Sequence, residues 1–200
     1  MIILPENNPV HVPLPITKTR ISELSTKLYG LTWRTKFGDV TKELLVFLRE
    51  LWDEVVFPIM KSLQEFCPHG SHIWWCPTAE FSLLPLHATG SFRKGQLTFS
   101  DLYISSYTPT LTALIRACQK RSMAPPIEQH CMLLVGQAQA PGQSKLISMN
   151  TELSNISQCI ASAATLSCVQ DQYAMIAKVA EELKATEFVH LACHGIPNQK

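Results

Sequence analysis

The chain has 200 residues, which is enough for one α/β domain of ordinary size or for a smaller domain with an extension. It carries 17 lysine and arginine residues against 16 aspartate and glutamate residues, so no broad charge favours nucleic acid or an anionic membrane as a partner. The first residues do not resemble a secretory signal, no apolar run reaches membrane-spanning length, and the cysteines are irregularly spaced, so we expect a cytoplasmic protein with reduced thiols.

The N-terminal part predicts an arm followed by a long helix. Residues 1–38 contain several prolines and a weakly amphipathic stretch, which is typical of an arm or of the tail of an upstream helical region. A helix then begins at Asp39 or Thr41, either of which could cap it, and apolar residues recur at helical spacing as far as Phe66. Pro58 lies inside this pattern and should kink the helix. We take the residues from 39 to 200 as one domain.

Two cysteines and two histidines follow this helix, and both residue types are ligands that zinc prefers. Their spacing is not that of a standard zinc finger or ribbon, and Ile73 to Cys76 also predicts a buried strand entered from a turn. We favour the strand and keep a zinc site as the alternative. The segment from Phe81 to His87 predicts a second extended piece, in which His87 has a structural role. The four candidate zinc ligands are Cys67, His69, His72 and Cys76.

The second half of the chain alternates strands with helices. This order predicts an α/β fold with a mostly parallel sheet and right-handed crossovers. Thr108 and Pro109 predict a helix start, because a capping hydroxyl precedes a proline in the first turn. The later predicted elements are a strand at 131–136, a helix capped by Asn150 or Thr151, a short peripheral strand at 165–169 and a helix that opens at Asp171.

The stretch 187–195 is a nearly unbroken apolar run that ends in Cys193, His194 and Gly195, and it predicts a strand buried on both faces. Reacting groups in open α/β sheets gather beyond the carboxyl ends of the strands, so His194 is a candidate general base. Gly195 would let the backbone turn sharply and approach a ligand closely. The sequence contains neither a glycine-rich phosphate loop nor a Gly-x-Ser-x-Gly elbow, so we expect no nucleotide, no other cofactor and no α/β-hydrolase.

Five segments, in this order and spacing, form a pattern that extends over most of the chain. They are Leu51-Trp52, residues 73–86, Ser106 to Thr112, the strand 133–136 and, above all, Val189 to Gly195. On these segments the chain, from about Leu51 to its end, resembles the CHAT domain, a caspase-like and separase-like group of cysteine peptidases and their relatives. In this resemblance His194 occupies the family's histidine position. The resemblance implies a caspase-like three-layer α/β fold in which that histidine works with a cysteine at the end of the next strand.

The resemblance also implies a mechanism, in which a thiolate formed beside the imidazole attacks a peptide carbonyl and the backbone N–H of Gly195 contributes to the oxyanion hole. The family's cysteine lies some tens of residues beyond the histidine, whereas this sequence ends at Lys200. We therefore expect a truncated domain that carries the base without the nucleophile. Cys193 would not replace it, because neighbouring side chains on a strand point to opposite faces. The other cysteines are expected to be small apolar residues or surface thiols.

Two functions of different classes remain open at this point. In the first, the full-length protein is a cysteine endopeptidase that acts on a peptide or protein substrate, and this chain alone is inactive. In the second, the chain is a non-catalytic scaffold that binds a regulatory protein partner. An unpaired sheet edge beside the last strand would suit the second function, because such an edge can pair with another chain.

Overall fold

The computed structural model describes residues 1–4, 8–32, 37–123, 129–140 and 142–195, without the side chains of 37–39 and 120–123. The chain divides into two compact units, Met1–Met123 and Ala124–Lys200. Both units combine helices with parallel strands, which confirms the predicted α/β fold. Within the described ranges, no helix is both long enough and apolar enough to span a membrane.

The first unit is mainly helical and contains a two-stranded parallel sheet. The sheet pairs His72 with Ile104 and Trp75 with Tyr107 at its two ends. The helices are α1 (Lys18–Thr32), α2 (Phe37–Leu51), α3 (Phe57–Leu63), α4 (Phe99–Leu102) and α5 (Leu111–Met123), and the strands are β1 (His72–Trp75) and β2 (Ile104–Tyr107).

The N-terminal segment packs into the core of this first unit. Ile21, Leu24 and Leu31 on α1 are buried in the same cluster as the apolar residues of the helices that follow. The guanidinium of Arg20 adds a polar link, because it lies 2.8 Å from Glu54 Oε1 and 3.1 Å from Glu50 Oε2. The predicted boundary between an arm at 1–38 and a domain at 39–200 stays a prediction.

Pro58 interrupts the long helix that the sequence predicts. One π-helical turn, Trp52–Val56, separates α2 from α3, and the N–H of Phe57 bonds to the carbonyl of Trp52 five residues back. Proline has no N–H to donate to the preceding turn, and its ring crowds the carbonyl four residues earlier, here that of Glu54. The backbone widens just before the proline, which is how a π turn accommodates a lost helical hydrogen bond.

The predicted extended piece over residues 81–87 is wrong. Two short 3-10 helices, Ala79–Leu83 and Leu86–Ala88, occupy this segment. Leu84 and Leu86 are both buried, and this alternation imitates the pattern of a strand. The local hydrogen bonds are those of 3-10 helices, because the N–H groups of residues 81, 84 and 88 each bond to a carbonyl three residues earlier.

The second unit is built on a three-stranded parallel sheet with the order β4-β3-β5. Leu134 on the central strand, with Met149 and Leu153, forms a core cluster on one face, and Leu133 with Val135 and Val179 forms one on the other. Helix, sheet and helix therefore form three layers. The elements are β3 (His130–Gly136), α6 (Met149–Ile160), β4 (Ala164–Gln170), α7 (Ile176–Glu182) and β5 (Phe188–Ala192).

Several helix starts differ from their predicted positions. The N–H of Ala113 bonds to Thr110 Oγ1 at 3.0 Å, so Thr110 caps α5 instead of Thr108. Helix α6 already begins at Met149, which places Asn150 and Thr151 inside its first turn. Asp171 opens a short 3-10 helix, and α7 begins five residues later. Helices α6 and α7 have no side-chain cap hydrogen bond, so the position of a capping residue type did not determine where they begin.

The prediction that the last strand is buried on both faces is wrong. Phe188, Val189 and Leu191 are 52%, 44% and 55% exposed. Among the described strands, β5 pairs with β3 alone and therefore lies at an edge of its sheet. An apolar run shows that a strand is hydrophobic, but it does not show whether a neighbour covers both faces.

We predict that Gly136→Ala will destabilise the second unit by about 1–3 kcal/mol, because added bulk in a packed core forces side chains from their rotamers. A Cβ there would lie 2.6 Å from Met149 Sδ and 2.8 Å from Leu153 Cδ1, both on buried residues. Urea unfolding measures the change. Gly195→Ala is the control, because no described atom lies within 4 Å of its new Cβ, and it should keep or slightly raise the stability. Equal losses in both variants would contradict the packing argument.

Candidate active site at the carboxyl edge of the second sheet

Three chain segments leave the second sheet at the same edge. The register places Gly136 beside Gln170 on one side and beside Ala192 on the other, so the carboxyl ends of β3, β4 and β5 are level. The N–H of Gln137 extends this alignment by bonding to the carbonyl of Ala192 at 3.0 Å. In open parallel sheets this edge is where ligands and reacting groups gather.

His194 lies at this edge, and its ring orientation is held by a backbone carbonyl. Nε2 is 2.7 Å from the carbonyl oxygen of Ser144, and the ring is partly buried. A carbonyl oxygen only accepts hydrogen bonds, so Nε2 must carry a proton. In the neutral imidazole the other nitrogen, Nδ1, then has a free lone pair. The geometry therefore makes Nδ1 the nitrogen that can accept a proton.

The segment that presents Ser144 is fastened to the end of the central strand. The N–H of Leu146 bonds to the carbonyl of Ala138 at 2.9 Å, and the N–H of Gln143 bonds to that of Ala140 at 3.1 Å. Leu146 also packs on the buried cluster that contains Ala138. The Ser144 carbonyl therefore belongs to a loop that is held by backbone hydrogen bonds and by an apolar anchor.

Gly195 follows the histidine and is exposed. Its φ lies outside the left-handed region, and no described atom stands within 4 Å of the position that a Cβ would occupy. The described backbone therefore does not require a glycine for a sharp turn, which was the expectation from sequence. The backbone of Gly195 is instead bordered by open space, next to the candidate base.

A second histidine on β5 has a partner that sequence reasoning missed. His190 Nε2 lies 2.7 Å from Glu152 Oε1 on α6. Side chains two positions apart on a strand share a face, so His190 lies on the same face of β5 as Ala192. This spacing is the signal in the sequence that could have indicated which side of the sheet His190 faces. The two side chains are 30% and 48% exposed, and a pair this exposed stabilises by at most about 1 kcal/mol. It fastens α6 to β5 just before the strand ends.

The described cysteines of the second unit are not partners of His194 Nε2, which contacts the Ser144 carbonyl. Cys131 lies near the start of β3, at the far edge of the sheet, as predicted. Cys168 lies on β4, two strands across from β5, which is roughly 10 Å at the usual strand spacing. Cys159 is near the end of α6, and Cys193 is an exposed thiol beside the histidine.

The zinc alternative finds no support in the described part of the chain, where no three histidine, cysteine, aspartate or glutamate side chains are grouped to hold a metal ion. His72 Nε2 instead lies 2.7 Å from Ser106 Oγ, and its ring stacks on Trp74. His69 meets the ring of Tyr103 edge-on. These histidines therefore have aromatic and hydroxyl partners in place of a shared ion.

His87 is the remaining histidine that the sequence singled out. Its Nδ1 is 2.9 Å from the hydroxyl oxygen of Tyr107, which also accepts the backbone N–H of His87 at 3.1 Å. Partial burial raises the pKa of Tyr107, so the phenol stays protonated and can donate to Nδ1. Because His87 and Tyr107 are joined by two hydrogen bonds, the arrangement is consistent with the predicted structural role of His87.

Comparison with known proteins identifies one family. The sequence matches the description of the CHAT domain over residues 45–200, which is more than half of the chain. Neither a curated protein nor a solved structure matches it significantly. The match begins inside α2 and includes the whole carboxyl edge described above.

We predict that neutral His194 is the Nε2–H tautomer, because the Ser144 carbonyl accepts from that nitrogen. Two-bond proton–nitrogen correlation spectra of histidine-labelled protein distinguish the two ring nitrogens, and the His194→Gln variant assigns the signal by its loss. The expected spectrum has the unprotonated nitrogen at Nδ1. An unprotonated Nε2 at neutral pH would contradict the assignment.

Proposed function

Because the chain belongs to the CHAT domain family and so has a caspase-like peptidase-family domain, we propose that it supplies the general base of a cysteine endopeptidase. The observation that supports this role is the hydrogen bond from His194 Nε2 to the Ser144 carbonyl, which leaves Nδ1 free to take a proton at the carboxyl edge of the sheet. The substrate would be a peptide or protein.

Each half of the proposed reaction passes one proton through His194. A cysteine thiol transfers its proton to His194 Nδ1, and the resulting thiolate attacks the carbonyl carbon of the scissile peptide. The imidazolium then gives that proton to the leaving amine as the C–N bond breaks. In the second half, water attacks the thioester carbon while Nδ1 takes a proton from it, and that proton passes to the sulfur as the C–S bond breaks. Throughout, Nε2–H keeps donating to the Ser144 carbonyl, so the ring keeps this contact while Nδ1 gains and loses the proton.

Gly195 is proposed as a donor to the oxyanion. As the carbonyl carbon becomes tetrahedral its oxygen takes negative charge, and a fixed backbone N–H nearby stabilises that charge. The position next to the base and the open space beside the glycine support this role. A side chain there would occupy the volume through which the scissile carbonyl approaches.

We further propose that this chain alone does not cleave peptides. The described cysteines of the second unit lie at the far edge of the sheet, on α6, two strands away, or adjacent to His194 on the same strand end. The nucleophile would then come from another segment of the protein, one that adds to the edge of β5 with which no described strand pairs.

The rival function is a scaffold that binds a protein partner without chemistry. The free edge of β5 and the exposed Val189 and Leu191 favour it, because an unpaired edge with apolar side chains is suited to accept a strand from another chain. The two functions differ on one point. A scaffold requires no cysteine on the segment that pairs with this edge, whereas a peptidase requires one.

We predict that the 200-residue chain gives no cleavage of a fluorogenic peptide mixture above buffer, and that His194→Ala changes nothing, since the base has no thiol to activate. Cleavage by the chain that is lost in His194→Ala would contradict the proposed inactivity.

In the protein encoded by the longest reading frame that contains this chain, we predict that His194→Ala lowers kcat/KM for peptide cleavage by about 10²–10⁴-fold, the usual contribution of a general base. His190→Gln is the matched control, because it removes the other imidazole on β5 but leaves the proposed base, and it should lower kcat/KM less than about tenfold. Equal losses in both variants would contradict the role of His194. Full cleavage in the absence of His194 would contradict its role as the base, and no cleavage by the native protein would favour the scaffold.

A further inference from the structure

We propose that Asp171 is a positioning residue for His194, and that it acts through the loop that presents the Ser144 carbonyl. The inference rests on the proposed function, in which His194 is the base. Asp171 lies at the end of β4, two strands across the sheet from β5, so it does not touch the reacting groups itself. Its effect would pass through three hydrogen bonds of the described backbone and side chains.

The backbone of Asp171 is strained. Its φ is +45°, in the left-handed region that residues with a Cβ avoid and that aspartate tolerates better than most. Conformations of this kind persist where the surrounding structure determines them, and they are frequent at functional sites. Asp171 is the one described residue of the second unit, other than glycine, with a positive φ. It stands where β4 leaves the sheet.

The carboxylate of Asp171 reaches across to the end of the neighbouring strand. Oδ1 accepts the N–H of Ala138 at 2.9 Å. Ala138 is the second residue after β3 and is buried, so its N–H has little access to water if this acceptor is removed. The carbonyl of the same residue accepts the N–H of Leu146 at 2.9 Å. Both backbone polar groups of Ala138 are thus satisfied, one by Asp171 and the other by the loop.

The last bond of the series reaches the candidate base. Ser144 stands two residues before Leu146, and its carbonyl accepts His194 Nε2–H at 2.7 Å. A route of direct contacts therefore runs from the end of β4 through the end of β3 and the loop to the end of β5. The orientation of the ring depends on where this loop holds the Ser144 carbonyl, and the loop depends on Ala138.

A purely local role for Asp171 is the competing explanation. Its carbonyl accepts the N–H of Ala174 and so closes the short 3-10 helix that follows β4. Changing the side chain would then affect that turn alone. The protonation of the two ring nitrogens of His194 distinguishes the two roles, because a change confined to the local turn would leave that protonation unaltered.

Two variants separate the acceptor from the backbone strain. Asp171→Asn keeps a carbonyl oxygen in the place of Oδ1 and tolerates the same φ. Asp171→Gly tolerates the φ even better but has no acceptor. Both should fold, since neither introduces bulk or strain. The measurement is the tautomer of His194 by proton–nitrogen correlation in the full 200-residue chain, together with hydrogen exchange of the Leu146 amide.

In Asp171→Asn we expect the Nε2–H tautomer of the native chain and an exchange rate within about threefold of native. In Asp171→Gly we expect the Nδ1–H tautomer to rise at least threefold in population and the Leu146 amide to exchange at least tenfold faster. An unchanged tautomer in Asp171→Gly would overturn the inference, as would an equal change in both variants.

Failure of the proposed function would look different. It would appear as peptide cleavage that survives His194→Ala in the longest reading frame, whatever the Asp171 variants do to the tautomer. The coupling between Asp171 and the His194 ring is tested by the spectra alone, and the use of that ring in catalysis is tested by the cleavage assay.

Discussion

The hydrogen bond from His194 Nε2 to the Ser144 carbonyl is the interaction on which the candidate site depends. It decides which ring nitrogen holds the proton and which can accept one, and it fixes the plane of the ring. A backbone carbonyl is a suitable partner for this purpose, because it cannot itself titrate. It therefore does not compete for the proton that the proposed reaction would move.

The parallel sheet makes this bond possible. Because β3, β4 and β5 run in one direction with level ends, the residues that follow them meet at one edge, although Ser144 and His194 are 50 positions apart in the chain. Gly136 lets α6 pack closely on the end of the central strand, since a Cβ there would collide with Met149 and Leu153. Helices on the two faces hold the sheet, and the loop from β3 crosses its end to reach His194.

The apolar pattern predicted the element types of this unit well but not their surroundings. It located β3, β5 and α6 because a strand or helix side that packs must be apolar. It overestimated the burial of Val189 and Leu191, since burial depends on neighbours that a local pattern does not contain. The motif placed His194 at a strand end, yet the bond from His194 to the Ser144 carbonyl and the bond from Ala138 to Asp171 could not be predicted, because a local pattern of residue types does not specify contacts between distant parts of the chain.

The most direct test of the account is the pH dependence of thiol alkylation by a small peptide chloromethyl ketone, in the longest reading frame that contains this chain. If His194 Nδ1 takes the proton of a cysteine, the reactive thiol should alkylate at pH values well below the ordinary thiol pKa of about 8.5. In the His194→Gln variant the alkylation at low pH should disappear, and the alkylation rate should depend on pH as it does for an ordinary thiol. An identical profile in both proteins would contradict the role of His194 as the base.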